Sequence, residues 1–146
     1  TADKRKESRF FGFDTFTGLP DEWRFFWKAL PPGTFDAGGR PPAIDDLRVE
    51  WITGRFQDTV PAFLTAFHPR NRLVINCDAD LYTSTLYVLS AINPFLTAGS
   101  IILLDEITAV DEYRAFRDFT RTFGRTYRVV GAADRLFYRR VAVEVT

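Results

Sequence analysis

Two short apolar runs, residues 73–77 and 101–104, each end at an acid: the first at Asp78, the second at Asp105-Glu106. Their hydrophobicity is nearly continuous rather than alternating, which predicts strands covered on both faces, the habit of parallel sheets. Between them, residues 84–96 carry Leu86, Leu89 and Ile92 at helical spacing. Asn93-Pro94 is expected to kink the end of that helix and Gly99 to stop it. A strand–helix–strand unit of this kind points to a layered α/β sheet. Such sheets bind ligands beyond the carboxyl ends of their parallel strands.

The rest of the chain extends the pattern. Residues 9–13 read as a strand ending at Asp14, followed by a turn at Thr17-Gly18-Leu19-Pro20. Asp21-Glu22 then predict the acidic start of a helix through Ala29. Residues 31–42, rich in Pro and Gly, read as a loop. Residues 48–53 read as a strand, and 56–67 as a helix that tolerates Pro61 near its start. Tyr113, Phe116, Phe119 and Phe123 recur at spacings of three and four, an aromatic helix face before Gly124. Residues 127–130 and 137–145 read as a closing antiparallel pair. The expectation is one domain, residues 1–146, with a mostly parallel sheet.

Composition excludes several classes. Acids and bases balance at 19 each, so no basic excess calls for nucleic acid. No apolar run is long enough to span a bilayer, and residues 1–9 lack the apolar stretch of a signal peptide. Cys77 is the only cysteine, so no internal disulfide forms, and a cytoplasmic location is expected. Cys77 itself reads as an inert core residue, and His68, the only histidine, as a solvated bystander. The chain starts with Thr and contains no Met, so residue 1 is not expected to be the translated start.

Asp78, Asp105 and Glu106 carry the chemistry. If their strands are neighbours, three carboxylates converge and repel unless a proton or cation intervenes. Hard oxygen donors suit Mg²⁺ or Ca²⁺ over zinc. The plainer reading is that these acids cap helices or pair with arginines. Asp80 is expected to cap the helix that follows rather than to bind metal. An Asp-x-Asp after an apolar strand also occurs in haloacid-dehalogenase phosphatases. Those need a downstream lysine, and Lys4, Lys6 and Lys28 all lie upstream. Nucleotide-sugar glycosyltransferases use Asp-x-Asp to hold a metal and a diphosphate, and Asp78-Ala79-Asp80 leaves that alternative open.

Four blocks taken together resemble macrocin O-methyltransferase-like enzymes, a class I S-adenosylmethionine-dependent family. Phe11-Gly12-Phe13-Asp14-Thr15-Phe16-Thr17-Gly18-Leu19-Pro20 is similar to the family's GFDSFEGLP segment. Gly54-Arg55-Phe56-Gln57-Asp58-Thr59-Val60-Pro61 is similar to G-x-F-x-D-T-L-P, Asp78 to Thr85 to D-x-D-L-Y-S-S-T, and Leu104-Asp105-Glu106 to F-D-E. The resemblance implies a Rossmann-like fold and Mg²⁺-assisted methyl transfer from S-adenosylmethionine to a hydroxyl of a small molecule such as a sugar. It implies that Asp78, Asp105 and Glu106 hold the metal, that Asp14 meets the cofactor ribose, and that Gly54, Arg55, Phe56 and Gln57 lie along the adenine. No lysine stands near Asp78, so the base falls to Asp78, another carboxylate or the metal.

The chain also departs from the family. It holds no equivalent of the glycine-rich loop that cradles the methionine part of the cofactor, nor of the central strand preceding it. The expectation is a partial methyltransferase domain with a gap between the strands ending at Asp14 and Asp78. Unpaired backbone in that gap favours self-association. The chain alone is then expected to be inactive, and a non-catalytic remnant is the further alternative.

Overall fold

The computed structural model describes residues 8–25, 27–108, 110–133 and 139–146. Its strands are β1 (Phe10–Asp14), β2 (Trp23–Phe25), β3 (Lys28–Leu30), β4 (Val49–Thr53), β5 (Val74–Cys77), β6 (Ile101–Leu104), β7 (Tyr127–Ala133) and β8 (Arg140–Val145). Its helices are α1 (Phe56–Thr65), α2 (Tyr82–Ile92) and α3 (Asp111–Thr122), with a 3-10 turn at Asn93–Phe95. That turn is the kink expected at Asn93-Pro94. The predicted strand start at Phe137 lies outside the described residues.

Two sheets carry the architecture. β1 and β4 pair in parallel, from Phe10 opposite Val49 to Asp14 opposite Thr53. The larger sheet runs in the order β5-β6-β8-β7. Its first pair is parallel and the remaining two are antiparallel, with a bulge between Val129 and Gly131. Among the described residues β1 pairs only with β4, and β5 only with β6. The expected break between the strands ending at Asp14 and Asp78 is therefore present.

The main core lies between the larger sheet and two helices. Ile102, Leu104, Val141, Val143 and Val145 on β6 and β8 meet Leu89 of α2 and Phe116 and Phe119 of α3. Burial along β6 and β8 alternates, and β5 exposes Val74. This corrects the expectation of strands covered on both faces: both core helices pack on one face. The aromatic stripe of α3 is correspondingly narrower than predicted, with Phe116 and Phe119 buried but Tyr113 and Phe123 exposed.

The β1–β4 pair joins the rest through rings. Phe63 of α1 meets Phe11 at 4.8 Å, Phe13 at 5.1 Å and Phe67 at 4.8 Å between centroids. Phe67 in turn meets Phe95 at 5.5 Å, beside the end of α2. Such edge and tilted contacts favour the ring quadrupoles. Gly12 leaves room for the indole of Trp51 across the strand pair, where any Cβ would collide with the ring.

The helix predicted from Asp21 to Ala29 is instead an antiparallel hairpin, with Trp23 opposite Leu30. Trp23 is buried with Leu19 and Leu81, and Leu30 packs against them. Burying that indole in an extended chain, with Arg24 turned out to Glu22, outweighs the weak helix-start signal of two acids. None of the helices among the described residues is long and apolar enough to cross a membrane.

Candidate functional site

Three strand ends meet at one cleft. β1 delivers Asp14, the turn after β4 delivers Gly54 to Gln57, and β5 delivers Asp78, Ala79 and Asp80. All of these line a single open cleft of about 200 Å³, with Phe13, Leu19, Phe35, Thr83 and Ser84 among the remaining walls. The five residues expected at the cofactor, Asp14, Gly54, Arg55, Phe56 and Gln57, thus share a space with Asp78. A complete site for a drug-sized ligand occupies roughly 300–1,000 Å³, so this cleft accommodates part of such a molecule.

Local chemistry explains how the walls are held. The Gly54 N–H donates to the Asp14 carbonyl at 2.9 Å, which ties the β4 turn to the end of β1. Gly54 has φ +143°, a region that side chains avoid, and a Cβ there would sit 2.8 Å from Thr59 Cγ2. The Asp14 carboxylate accepts the Phe16 N–H at 2.9 Å. It therefore holds a turn, the plainer role for this position, while also facing the cleft.

β5 and β6 are parallel neighbours whose register ends with Cys77 opposite Leu104. Asp78 and Asp105 consequently leave the sheet side by side. The Asp78 carboxyl is pushed upward first by burial, then by the charge of Asp105, with Glu106 and Asp14 adding smaller pushes. Arg140 opposes them. The acids therefore share one edge, as the sequence suggested.

Their partners differ from expectation. Arg140 Nε lies 2.6 Å from Asp105 Oδ1, and Arg139 Nη2 lies 2.6 Å from Glu106 Oε1. Among the described residues, no three carboxylate, histidine or cysteine groups gather closely enough to hold a metal ion. Asp105 and Glu106 also lie outside the cleft lining. The Mg²⁺ expectation is thus matched by the donor chemistry but not by the arrangement, because guanidinium groups already engage two of its three donors.

Sequence reasoning overlooked Asp80 and Glu112. Asp80 was expected to cap a helix, but the residue preceding α2 is Leu81 and no side chain caps that end. Asp80 instead adopts φ +55° and lines the cleft. Burial, followed by the fields of Asp78, Glu106 and Asp105, raises its carboxyl to about 6. The signal was available as the second acid of Asp-x-Asp. Glu112 is fully buried on α3, and its Oε2 accepts the Glu106 N–H at 2.9 Å. Burial raises it to about 7, against the pull of backbone N–H groups. It supports the β6 loop from behind. Nothing in its place along a helix announces that role.

Two other readings hold. His68 is exposed and absent from the cleft lining. Cys77 is buried, and burial first, then the charge of Glu112, pushes its thiol up to about 12. A thiol so placed stays protonated and inert.

Comparison with known proteins gives these features a lineage. The sequence model of the Macrocin-O-methyltransferase (TylF) family matches residues 40–132. Over 83 residues the chain is 36% identical to an 8-demethyl-8-(2,3-dimethoxy-alpha-L-rhamnosyl)-tetracenomycin-C 4'-O-methyltransferase of Streptomyces olivaceus. The match covers 56% of this chain and 29% of that relative. The O-methyltransferase NovP shares the fold at a TM-score of 0.72 and 21% identity, over 99% of this chain and 63% of its own. The calicheamicin methyltransferase CalS11 aligns at a TM-score of 0.64 and 26% identity, over 93% of this chain and 60% of its own. An apo structure of CalS11, described as a TDP-rhamnose 3'-O-methyltransferase of calicheamicin biosynthesis, aligns at 0.59 and 25%, covering 57% of that chain. The chain therefore spans less than two thirds of each of these relatives. With the family model spanning more than half of the sequence and the fold in agreement, the chain belongs to the macrocin O-methyltransferase (TylF) family.

Proposed function

We propose that this chain is the part of an S-adenosylmethionine-dependent O-methyltransferase domain that holds the nucleoside end of the methyl donor and the acceptor hydroxyl. The observation that carries this reading is the shared cleft, where Asp14 and Gly54 to Gln57 face Asp78 and Asp80. A carboxylate at Asp14 can accept both ribose hydroxyls, and Phe13 and Phe56 offer apolar walls to a purine. When bound, the donor supplies an electrophilic methyl group. A carboxylate at the same edge would take the proton of the acceptor hydroxyl as the methyl group left the donor's sulfur, which would become a neutral thioether. Asp78, which lines the cleft and stands at the end of β5, is one candidate for that proton. Asp80 joins it because it lines the cleft and its backbone is fixed in an unusual conformation. Holding the hydroxyl and the methyl group in line supplies most of what such a reaction needs from a protein.

Two relatives name rhamnosyl or TDP-rhamnose substrates, so the acceptor is proposed to be a hydroxyl of a deoxysugar on a natural product or its nucleotide carrier. The same reading places the enzyme in the cytoplasm and allows self-association through the edges of β1, β5 and β7 that are unpaired among the described residues. Magnesium enters no step, because Asp105 and Glu106 are already paired.

The test is transfer of a labelled methyl group from S-adenosylmethionine to a rhamnosylated acceptor, with product read by mass spectrometry. It is paired with titration of S-adenosylhomocysteine into wild type and Asp14→Ala. Methylation of the sugar, with weaker nucleoside binding in the variant, is the expected result. Binding of a uridine diphosphate sugar in place of the nucleoside would turn the reading toward a glycosyltransferase. Binding of neither would leave a non-catalytic remnant.

A further inference from the structure

We infer that Arg139 and Arg140 are tethered counter-ions of the acidic edge, and that they close it to divalent cations. This goes beyond the proposed reaction, resting on it only for the placement of the edge beside the acceptor.

The arginines are placed by the sheet rather than by chance. β8 runs antiparallel to β6 with Leu104 opposite Val141, so Arg140 stands where β6 releases Asp105. The Arg139 carbonyl accepts the Ile107 N–H at 2.9 Å, which fixes the backbone beside Glu106. Both guanidinium–carboxylate contacts measure 2.6 Å, within direct charge-assisted hydrogen-bonding reach. The carboxylates are 14% and 21% exposed, while the arginine side chains stay 51% and 66% exposed. It is the sheet register, rather than burial, that separates these pairs from ordinary surface pairs, which are worth little.

A divalent cation here meets two obstacles. Mg²⁺ or Mn²⁺ prefers six oxygen ligands, commonly including one or two carboxylates. At this edge both oxygens of Asp105 and one of Glu106 already serve arginine. The second oxygen of Glu106 is buried without a hydrogen-bond partner, but it belongs to a carboxylate the guanidinium already neutralises. An incoming cation must also approach two charges that never deprotonate. Arg140 reaches further, since its field also opposes the upward push on Asp78. The edge thus carries its own fixed positive charge where a diffusible ion would otherwise sit.

The experiment titrates Mn²⁺ alone into the purified chain, followed by electron paramagnetic resonance and calorimetry, with no donor or acceptor present. Failure of methyl transfer therefore leaves this result untouched. Wild type is expected to show no saturable site at millimolar Mn²⁺. The double variant Arg139→Gln/Arg140→Gln is expected to gain one saturable site over the same concentration range. Adding Asp105→Asn to the double variant should remove it. The pair Arg139→Lys/Arg140→Lys, which keeps the charge, should exclude the ion as wild type does. This arm still tests the idea if the glutamine variant fails to fold. A micromolar site in wild type overturns the inference. So does a double variant that gains nothing, a gain that survives Asp105→Asn, or a lysine variant that binds the ion.

Discussion

The two halves of the molecule are held together by different means. The half built from β5, β6, β8, α2 and α3 has a continuous core in which Leu89, Leu104 and Phe119 are almost wholly excluded from water. The half built from β1, β4 and α1 has a short strand pair attached by ring-to-ring contacts around Phe63. The cleft lies where the halves meet, taking Asp14 and Gly54 to Gln57 from the second and Asp78 and Asp80 from the first. Ligand binding therefore depends on how firmly a lightly packed unit is seated against a densely packed one. Stability resides in one half, while the geometry of the site depends on both.

The largest effect should come from opening the dense core. Phe119→Ala is expected to cost about 3–5 kcal/mol, the usual range for removing a fully buried ring. Phe63→Ala should cost about 1–3 kcal/mol, since its ring contacts are worth roughly 0.5–1.5 kcal/mol each. Denaturant unfolding ranks the two. Hydrogen exchange then locates them: Phe63→Ala should speed exchange in β1 and β4 while β6 and β8 stay protected. Equal loosening of β6 would mean one cooperative unit and would break the comparison.

A smaller effect belongs to the seam. Gly54→Val forces a side chain onto φ +143° and into Thr59. The local strain is about 1–3 kcal/mol, felt in the β4 turn and the start of α1. The expected readout is weaker S-adenosylhomocysteine binding with the amide protection of β6 and β8 unchanged. Unaltered binding would show that the turn does not shape the nucleoside end of the cleft.

The same contrast explains what the sequence made legible. β5 and β6 could be read because a buried strand has a local signature and its exit residue follows directly. Asp14, Gly54 and Asp78 could be grouped because each ends a strand or opens the turn after one. The hairpin of Trp23 could not be read: its stability comes from Leu19 and Leu81, and Leu81 is far off in sequence. Arg139 and Arg140 were equally hidden. In an arginine-rich chain, only the register of β8 against β6 selects those two as partners of Asp105 and Glu106. The Asp80 cap failed for a backbone reason, since its positive φ takes the carboxylate away from the helix start and Leu81 occupies the cap position.

The smallest effect should come from a partly exposed acid just before β4, the counterpart of the acids at the end of β6. Asp46 accepts the Arg48 backbone N–H at 3.0 Å and its guanidinium at 2.6 Å. The side-chain hydrogen bond to Arg48 chiefly holds its carboxyl down at about 2, below the ordinary 3.8. A depressed folded value means that the contribution is present above the unfolded value and is lost as pH falls through the folded one. The thermal midpoint of wild type minus that of Asp46→Asn should therefore be small and constant from neutral pH to about 4. It should vanish as the pH approaches about 2. Salt should shrink it throughout, because a pair open to solvent on one side is screened. A pH-independent difference, or one larger than that of Phe63→Ala, would show that Asp46 does more than order the approach to β4.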